Sequence, residues 1–105
     1  MPMNEIDELK DSFIENLAPV RIYLFGSFAE GRQTEDSDFD FYIVVNDSEN
    51  DMLSLTAKAY KAIRHKQRRS VDIIVNTEKS FDNKKDKGMT VEKEVAQKGV
   101  LLYGA

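Results

Sequence analysis

Apolar residues recur at three- and four-residue steps along the first part of the chain. Ile6, Leu9, Phe13 and Leu17 form this stripe, with Asp7, Glu8, Lys10, Asp11 and Glu15 between them. That period predicts an amphipathic helix over residues 4–17, with Asn4 as N-cap and Asp7 as a weak capping partner. Pro19 ends the helix and biases Ala18 towards extended backbone. The run from Val20 to Phe25 is near-continuously apolar and predicts a strand covered on both faces. A short helix over Ser27 to Glu30, ended by Gly31, then leads into a polar loop from Arg32 to Ser37 with no apolar anchor. Phe39 to Val45 predicts a second strand and Asn46 to Asn50 a turn.

The helical period returns over residues 50–66. Met52, Leu55, Ala59 and Ile63 make its main stripe, widened by Leu53, Thr56, Tyr60 and Ala62, with Ser48 and Asp51 placed to cap it. Val71 to Val75 predicts a third strand, and residues 76–89 a mobile polar connection. Thr90 caps a short helix to Lys98 that Gly99 ends, and Val100 to Tyr103 predicts a last strand or a packed tail. Tyr23, Tyr42, Tyr60 and Tyr103 are all expected to pack. Strands alternating with helices predict an α/β fold, a small mixed sheet flanked by helices. A length of 105 residues fits one domain around one core.

Composition narrows the chemistry. At 41% hydrophobic and 32% charged residues the chain is an ordinary globular sequence, and a formal charge of −4 disfavours direct binding of nucleic acid through overall basicity. The absence of cysteine excludes disulfides, thiol catalysis and cysteine–zinc sites. No apolar stretch is long enough to span a membrane, and the first residues are polar and acidic, unlike a signal peptide, so a cytoplasmic location is expected. Lys58, Lys61, Arg64, Lys66, Arg68 and Arg69 form a basic cluster, read as a solvated helix face or as a docking surface for an acidic partner or RNA. His65, the single histidine, lies within it and is expected to be solvated.

The chemistry concentrates between Gly26 and Val45. Gly26 allows a sharp turn and close approach of backbone to a ligand. Ser27 and the amides after it can hydrogen-bond an anion. Ten residues later Asp38 and Asp40 stand two apart at the start of a strand, so both carboxylates point to one face. Two carboxylates beside a phosphate cradle suit a magnesium–triphosphate site, in which two ions about 4 Å apart do much of the work. Asp72 is the only charged residue within the apolar run SVDIIVN; alternation puts it with Ile74, opposite Val71, Ile73 and Val75. In a central strand its charge would need a partner such as a metal ion. Each feature alone has a simpler reading: Gly-Ser as a turn, Asp-x-Asp as a solvated pair, Asp72 as an edge residue facing water. Arg32, between cradle and carboxylates, is placed to contact phosphate or is simply solvated.

In combination these motifs resemble the nucleotidyltransferase superfamily that includes DNA polymerase beta and kanamycin nucleotidyltransferase, and within it the small minimal nucleotidyltransferases. The likeness is specific at GSFAEG and at Ser37-Asp38-Phe39-Asp40, and looser elsewhere from Val20 to Tyr103. It implies the nucleotidyltransferase fold and transfer of AMP from ATP to a hydroxyl, with Mg2+ or Mn2+ held by Asp38, Asp40 and Asp72. Asp72 would bind the catalytic metal and accept the hydroxyl proton. Gly26, Ser27 and Arg32 would bind the nucleotide. Glu30 departs from the group, which often has a basic residue there; Arg32 could substitute for that charge. A chain of this length has no room for an acceptor domain, so the acceptor must come from another chain or from a homo-oligomer. In the minimal group the partner is a small helical HEPN protein, with which the nucleotidyltransferase forms a toxin–antitoxin pair, in some cases attaching AMP to a tyrosine. The alternatives are a binding-only antitoxin with an idle site, and a small-molecule enzyme acting on an aminoglycoside-like acceptor.

Overall fold

The structure, a computed structural model, describes residues 3–104. The elements are α1 (Met3–Leu17), β1 (Arg21–Phe25), α2 (Ser27–Glu30), β2 (Phe39–Val45), α3 (Met52–Ile63), β3 (Val71–Thr77), α4 (Glu78–Lys84), α5 (Val91–Lys98) and β4 (Val100–Tyr103). The four strands form one sheet in the order β3-β2-β1-β4. β1 runs antiparallel to β2 and β4, and β2 runs parallel to β3, so the sheet is mixed as the alternation of elements predicts. Helix α3 supplies the crossover that a parallel pair requires.

Alternation along the strands divides the sheet into two faces. Ile22, Leu24, Phe39, Phe41, Ile43, Val45, Val71, Ile73 and Val75 point to one face, where the apolar stripes of α1 and α3 cover them. Ile6, Leu9, Phe13, Ala59 and Ile63 lose all solvent exposure there. The opposite face carries Tyr23, Tyr42, Val44 and Ile74 beneath Phe81 of α4 and Val95 of α5. Cover on this second face is thinner. Within β1 only Ile22 and Leu24 are buried, while Arg21, Tyr23 and Phe25 stay half-buried, so the expectation of burial on both faces is corrected.

Several local expectations change for identifiable reasons. Helix α1 already includes Met3, so Asn4 lies in its first turn and does not cap it. Ala18 is left-handed, with φ of +47°, and not extended. Its N–H donates to the Ile14 carbonyl at 3.2 Å, and this bond closes the helix end before Pro19. Helix α3 stops at Ile63, and Leu53 is 83% exposed instead of joining the core. Asp51 alone caps α3, accepting from the Ser54 N–H at 3.0 Å.

Residues 76–89 hold a strand end and a helix where sequence predicts a mobile connection. The Thr77 hydroxyl accepts from the Ser80 N–H at 3.2 Å and starts α4. Phe81 stacks on Tyr23 at 5.4 Å between ring centroids and packs against Tyr42 at 5.2 Å. Arg21 lies over the Phe81 ring and reaches Glu78 and Asp82 at 3.5 and 3.6 Å. One buried aromatic in seven helical residues leaves no periodic pattern to read.

Tyr60 also departs from its expected role. It is 38% exposed, and its hydroxyl accepts from the Ile73 N–H at 2.9 Å, on the side of β3 that no strand pairs. A free strand edge is an aggregation hazard, and this bond satisfies one of its donors. We expect Tyr60→Phe to lower stability by about 1 kcal/mol and to speed amide exchange at Ile73, measured by denaturant unfolding and hydrogen exchange. Tyr103 is likewise 38% exposed, as are its neighbours Val100 at 42% and Leu101 at 43%; β4 is a strand, but not a closely packed one.

Candidate active site

β1 delivers the chain to Gly26 at one end of the sheet, where the backbone adopts φ of +75° and ψ of −154°. Only glycine holds this conformation without strain. A second constraint comes from Asp40: a methyl group on Gly26 would collide with its carboxylate, the carboxyl carbon lying 3.1 Å from where the Cβ would sit. The glycine is therefore fixed both by its dihedral angles and by the carboxylate packed against it. Ser27 then opens the single turn of α2, which Gly31 closes in left-handed conformation, its N–H bonding the Ser27 carbonyl.

The carboxylates come together through strand register. Asp40 is paired with Phe25 on one side and with Asp72 on the other. Asp40 and Asp72 thus sit side by side on the thinly covered face, with Asp38 two residues before Asp40, just ahead of β2. Asp72 occupies an edge strand and is exposed, which corrects the premise that it lies in a central strand. Its alternation is as expected: Val71, Ile73 and Val75 are buried behind it. Its charge has water on one side and Asp40 on the other.

The electrostatics of this group are one-sided. The Asp40 carboxyl is pushed up to about 6, first by burial and then by Asp72, with which it can share a hydrogen bond, and by Asp38 and Glu94. Every charged contributor to that shift is another carboxylate. Glu94 comes from α5, and sequence reasoning missed it, because an exposed glutamate on a polar helix carries no distinguishing signal. Among the described residues, no three His, Asp or Glu side chains are grouped so that together they could hold a metal ion. The donor set still fits magnesium, which uses one or two carboxylates and completes its shell with phosphate oxygens and water. Carboxylates that raise one another's proton affinity in this way are the arrangement that such an ion relieves.

Arg32 is 63% exposed at its side chain and forms an ion pair with Glu30 at 3.3 Å. The structure therefore pairs Arg32 with Glu30, the acidic residue of the GSFAEG segment. The loop after it is held by polar contacts in place of the missing apolar anchor: the Thr34 N–H donates to the Ser37 hydroxyl at 2.8 Å and the Ser37 N–H to the Thr34 carbonyl at 3.1 Å. Arg69, assigned by sequence to a solvated basic face, in fact lies beyond α3 and stacks on Phe28 and Phe39.

Beneath the site the same face buries a second polar contact. The Tyr42 hydroxyl donates to Glu92 Oε2 at 2.7 Å, and Glu92 is only 6% exposed. Burial, and then this contact, hold the tyrosine above its usual range, so it remains a neutral donor. Tyr42→Phe would leave a buried carboxylate without its donor. We expect a loss of about 2 kcal/mol, measured by denaturant unfolding at neutral pH.

Comparison with known proteins places this geometry. Residues 6–98 match the family described as nucleotidyltransferase domain. The chain belongs to that family. The match spans β1, the glycine turn, both carboxylate strands and α5, and the chain is a nucleotidyltransferase. No curated protein matches it. Among solved structures, this nucleotidyltransferase domain is similar to a chain from a toxin–antitoxin crystallised with AMP-PNP, with 25% identity, a TM-score of 0.60 and coverage of 100% of this chain and 75% of that one. It also shares its fold with a chain of the toxin–antitoxin MntA-HepT, at 21% identity and a TM-score of 0.56, covering 100% and 74% of the two chains. A putative nucleotidyltransferase from Sulfolobus solfataricus is 23% identical, with a TM-score of 0.55 and coverage of 96% and 75%. No helix among the described residues of the domain is long and apolar enough to cross a membrane.

Proposed function

We propose that this nucleotidyltransferase transfers AMP from ATP to a protein hydroxyl, the acceptor being a tyrosine of a small helical HEPN-type toxin that it neutralises. The observation that carries the reading is the Asp40–Asp72 register pair beside Gly26, which sets two carboxylates against the backbone turn. The similarity to a toxin–antitoxin structure with AMP-PNP supports both the nucleotide and the class of partner.

In this reading Asp38, Asp40 and Asp72 would hold magnesium, with manganese as a substitute. The bound ion would neutralise the triphosphate and the departing pyrophosphate. The turn at Gly26 and Ser27 orients the phosphates, its lack of a side chain letting them approach the backbone closely. Arg32 contacts phosphate once it leaves Glu30. The acceptor oxygen attacks the α-phosphorus, the bond to pyrophosphate breaks, and the hydroxyl proton passes to the Asp72 carboxylate, which is exposed and within reach of an incoming protein.

The test is incubation of the chain with its HEPN partner, magnesium and ATP labelled at the α-phosphate. Label that stays on the partner through a denaturing gel, and is lost when the acceptor tyrosine becomes phenylalanine, supports transfer. One observation favours a second reading, a binding-only antitoxin: Arg32, the cation beside the cradle, is paired with Glu30 at 3.3 Å. Full neutralisation of the toxin by an Asp38→Asn, Asp40→Asn variant, with no label transferred by the parent chain, would establish that reading instead.

A further inference from the structure

The two motifs of the site lie on separate elements, and one side chain from a third segment joins them. Arg69 stands in the loop between α3 and β3. Its guanidinium lies 5.0 Å from the centroid of the Phe28 ring and 4.8 Å from that of Phe39. Those rings also contact each other, at 4.6 Å between centroids. Phe28 follows Ser27 directly, and Phe39 sits between Asp38 and Asp40. The same guanidinium donates from Nη1 to the Ser37 carbonyl at 3.4 Å, one residue before Asp38. The next residue, Ser70, accepts from the Phe39 N–H at 3.1 Å.

We infer that Arg69 is a positioning residue, a planar clamp that holds the Gly26–Ser27 turn and the Asp38–Asp40 strand start at a fixed separation. The inference rests on the nucleotide-binding reading of those motifs. A planar cation suits this place because it can lie against two ring faces while its edge donates to a carbonyl. A lysine supplies charge without the plane or the fork. The remaining charged contact, Nε to Glu5 Oε1, is long at 3.9 Å, and both Arg69 Nε and Glu5 Oε2 are buried without a hydrogen-bond partner. The ion pair with α1 is therefore the lesser part of what Arg69 does, and the stacking and the Ser37 bond are the greater. The loop from Arg32 to Ser37 has no buried apolar residue to fix it, so a polar clamp is its means of presenting Asp38.

The experiment compares the parent chain with Arg69→Gln, Arg69→Lys and Glu5→Gln. It measures hydrogen exchange without ligand and calorimetric binding of magnesium–AMP-PNP. For both Arg69 variants we expect exchange about tenfold faster over residues 34–38, with strands β1 and β2 beyond Phe41 unchanged, and binding weakened about tenfold or more. Glu5→Gln should change neither. Uniformly faster exchange throughout the sheet would mean that Arg69 only stabilises the fold, and would overturn the inference. So would parent-like affinity in Arg69→Gln, or full rescue by Arg69→Lys. A folded parent chain that binds no AMP-PNP would count against the nucleotide reading itself, whereas the exchange pattern decides the clamp on its own.

Discussion

Asp40→Asn should reduce the proposed AMP transfer by about three orders of magnitude or more, and at the same time make the metal-free protein more stable. The first effect follows from the place of the side chain. It lies against Gly26 and beside Asp72, so it would reach both the phosphate turn and any ion that the carboxylates hold. Loss of one preorganised electrostatic group costs about 10²–10³ in rate, and loss of a shared metal ligand should cost at least as much. The second effect follows from repulsion. The folded Asp40 carboxyl is raised from 3.8 to about 6, so the folded state binds that proton more tightly than the unfolded chain does. Its contribution is favourable at low pH and is lost as pH rises through about 4 to 6. At this half-buried position screening reduces the penalty at neutral pH to about 1 kcal/mol. Melting curves at pH 4 and pH 7 check the sign: the parent loses stability relative to Asp40→Asn on going up. Saturating magnesium should narrow the difference, because a bound cation favours the ionised carboxylate.

Gly26→Ala should weaken nucleotide binding about 100-fold although it adds only one methyl group. The added Cβ would meet Asp40, and the φ of +75° is itself unfavourable for alanine. Backbone in this essentially glycine-only region costs another residue about 1–3 kcal/mol, so the chain is expected to fold, with a lower melting temperature. Relief of the collision moves either the turn or the carboxylate. A displacement of about 1 Å in such a site can cost 10²-fold in rate. Calorimetry with magnesium–AMP-PNP, beside a circular dichroism melt, separates the two consequences. An alanine variant that binds like the parent would show that the approach of Asp40 to Gly26 has no part in the site.

What the sequence made legible followed from strong local signals. The stripes of α1 and α3, the apolar strands and the Thr90 cap each rest on residues that act over one or two turns, and each element is found. The candidate site was legible as a grouping because Gly26, Asp38 and Asp40 lie on one short segment and Asp72 breaks an apolar run. Edge and centre were not legible: nothing in SVDIIVN distinguishes a strand with one neighbour from a strand with two. Helix α4 escaped because its one buried residue, Phe81, gives no period, and its anchor, Arg21, is distant in sequence. Arg69 escaped for the same reason. Its partners, Phe28, Ser37 and Phe39, become neighbours only when the sheet has formed, and a second arginine after Arg68 looks like solvated charge.

The pairing of β1 with β4 has a consequence for the order in which the molecule assembles. Leu24 meets Val100, whereas the partners of β1 in β2 lie nearby along the chain. Closing so long a loop is slow, so this pairing is expected to follow the others. Helices α1 and α3, with β1, β2 and β3, can bury one face of the sheet before α5 and β4 dock on it. The turn at Gly26 and the three aspartates belong to that early part. Glu94 belongs to the late part, and its arrival adds a fourth negative charge to carboxylates already in place. In the reading in which the carboxylates hold a divalent cation, that ion would therefore speed the closing step, by neutralising the charge that α5 must approach.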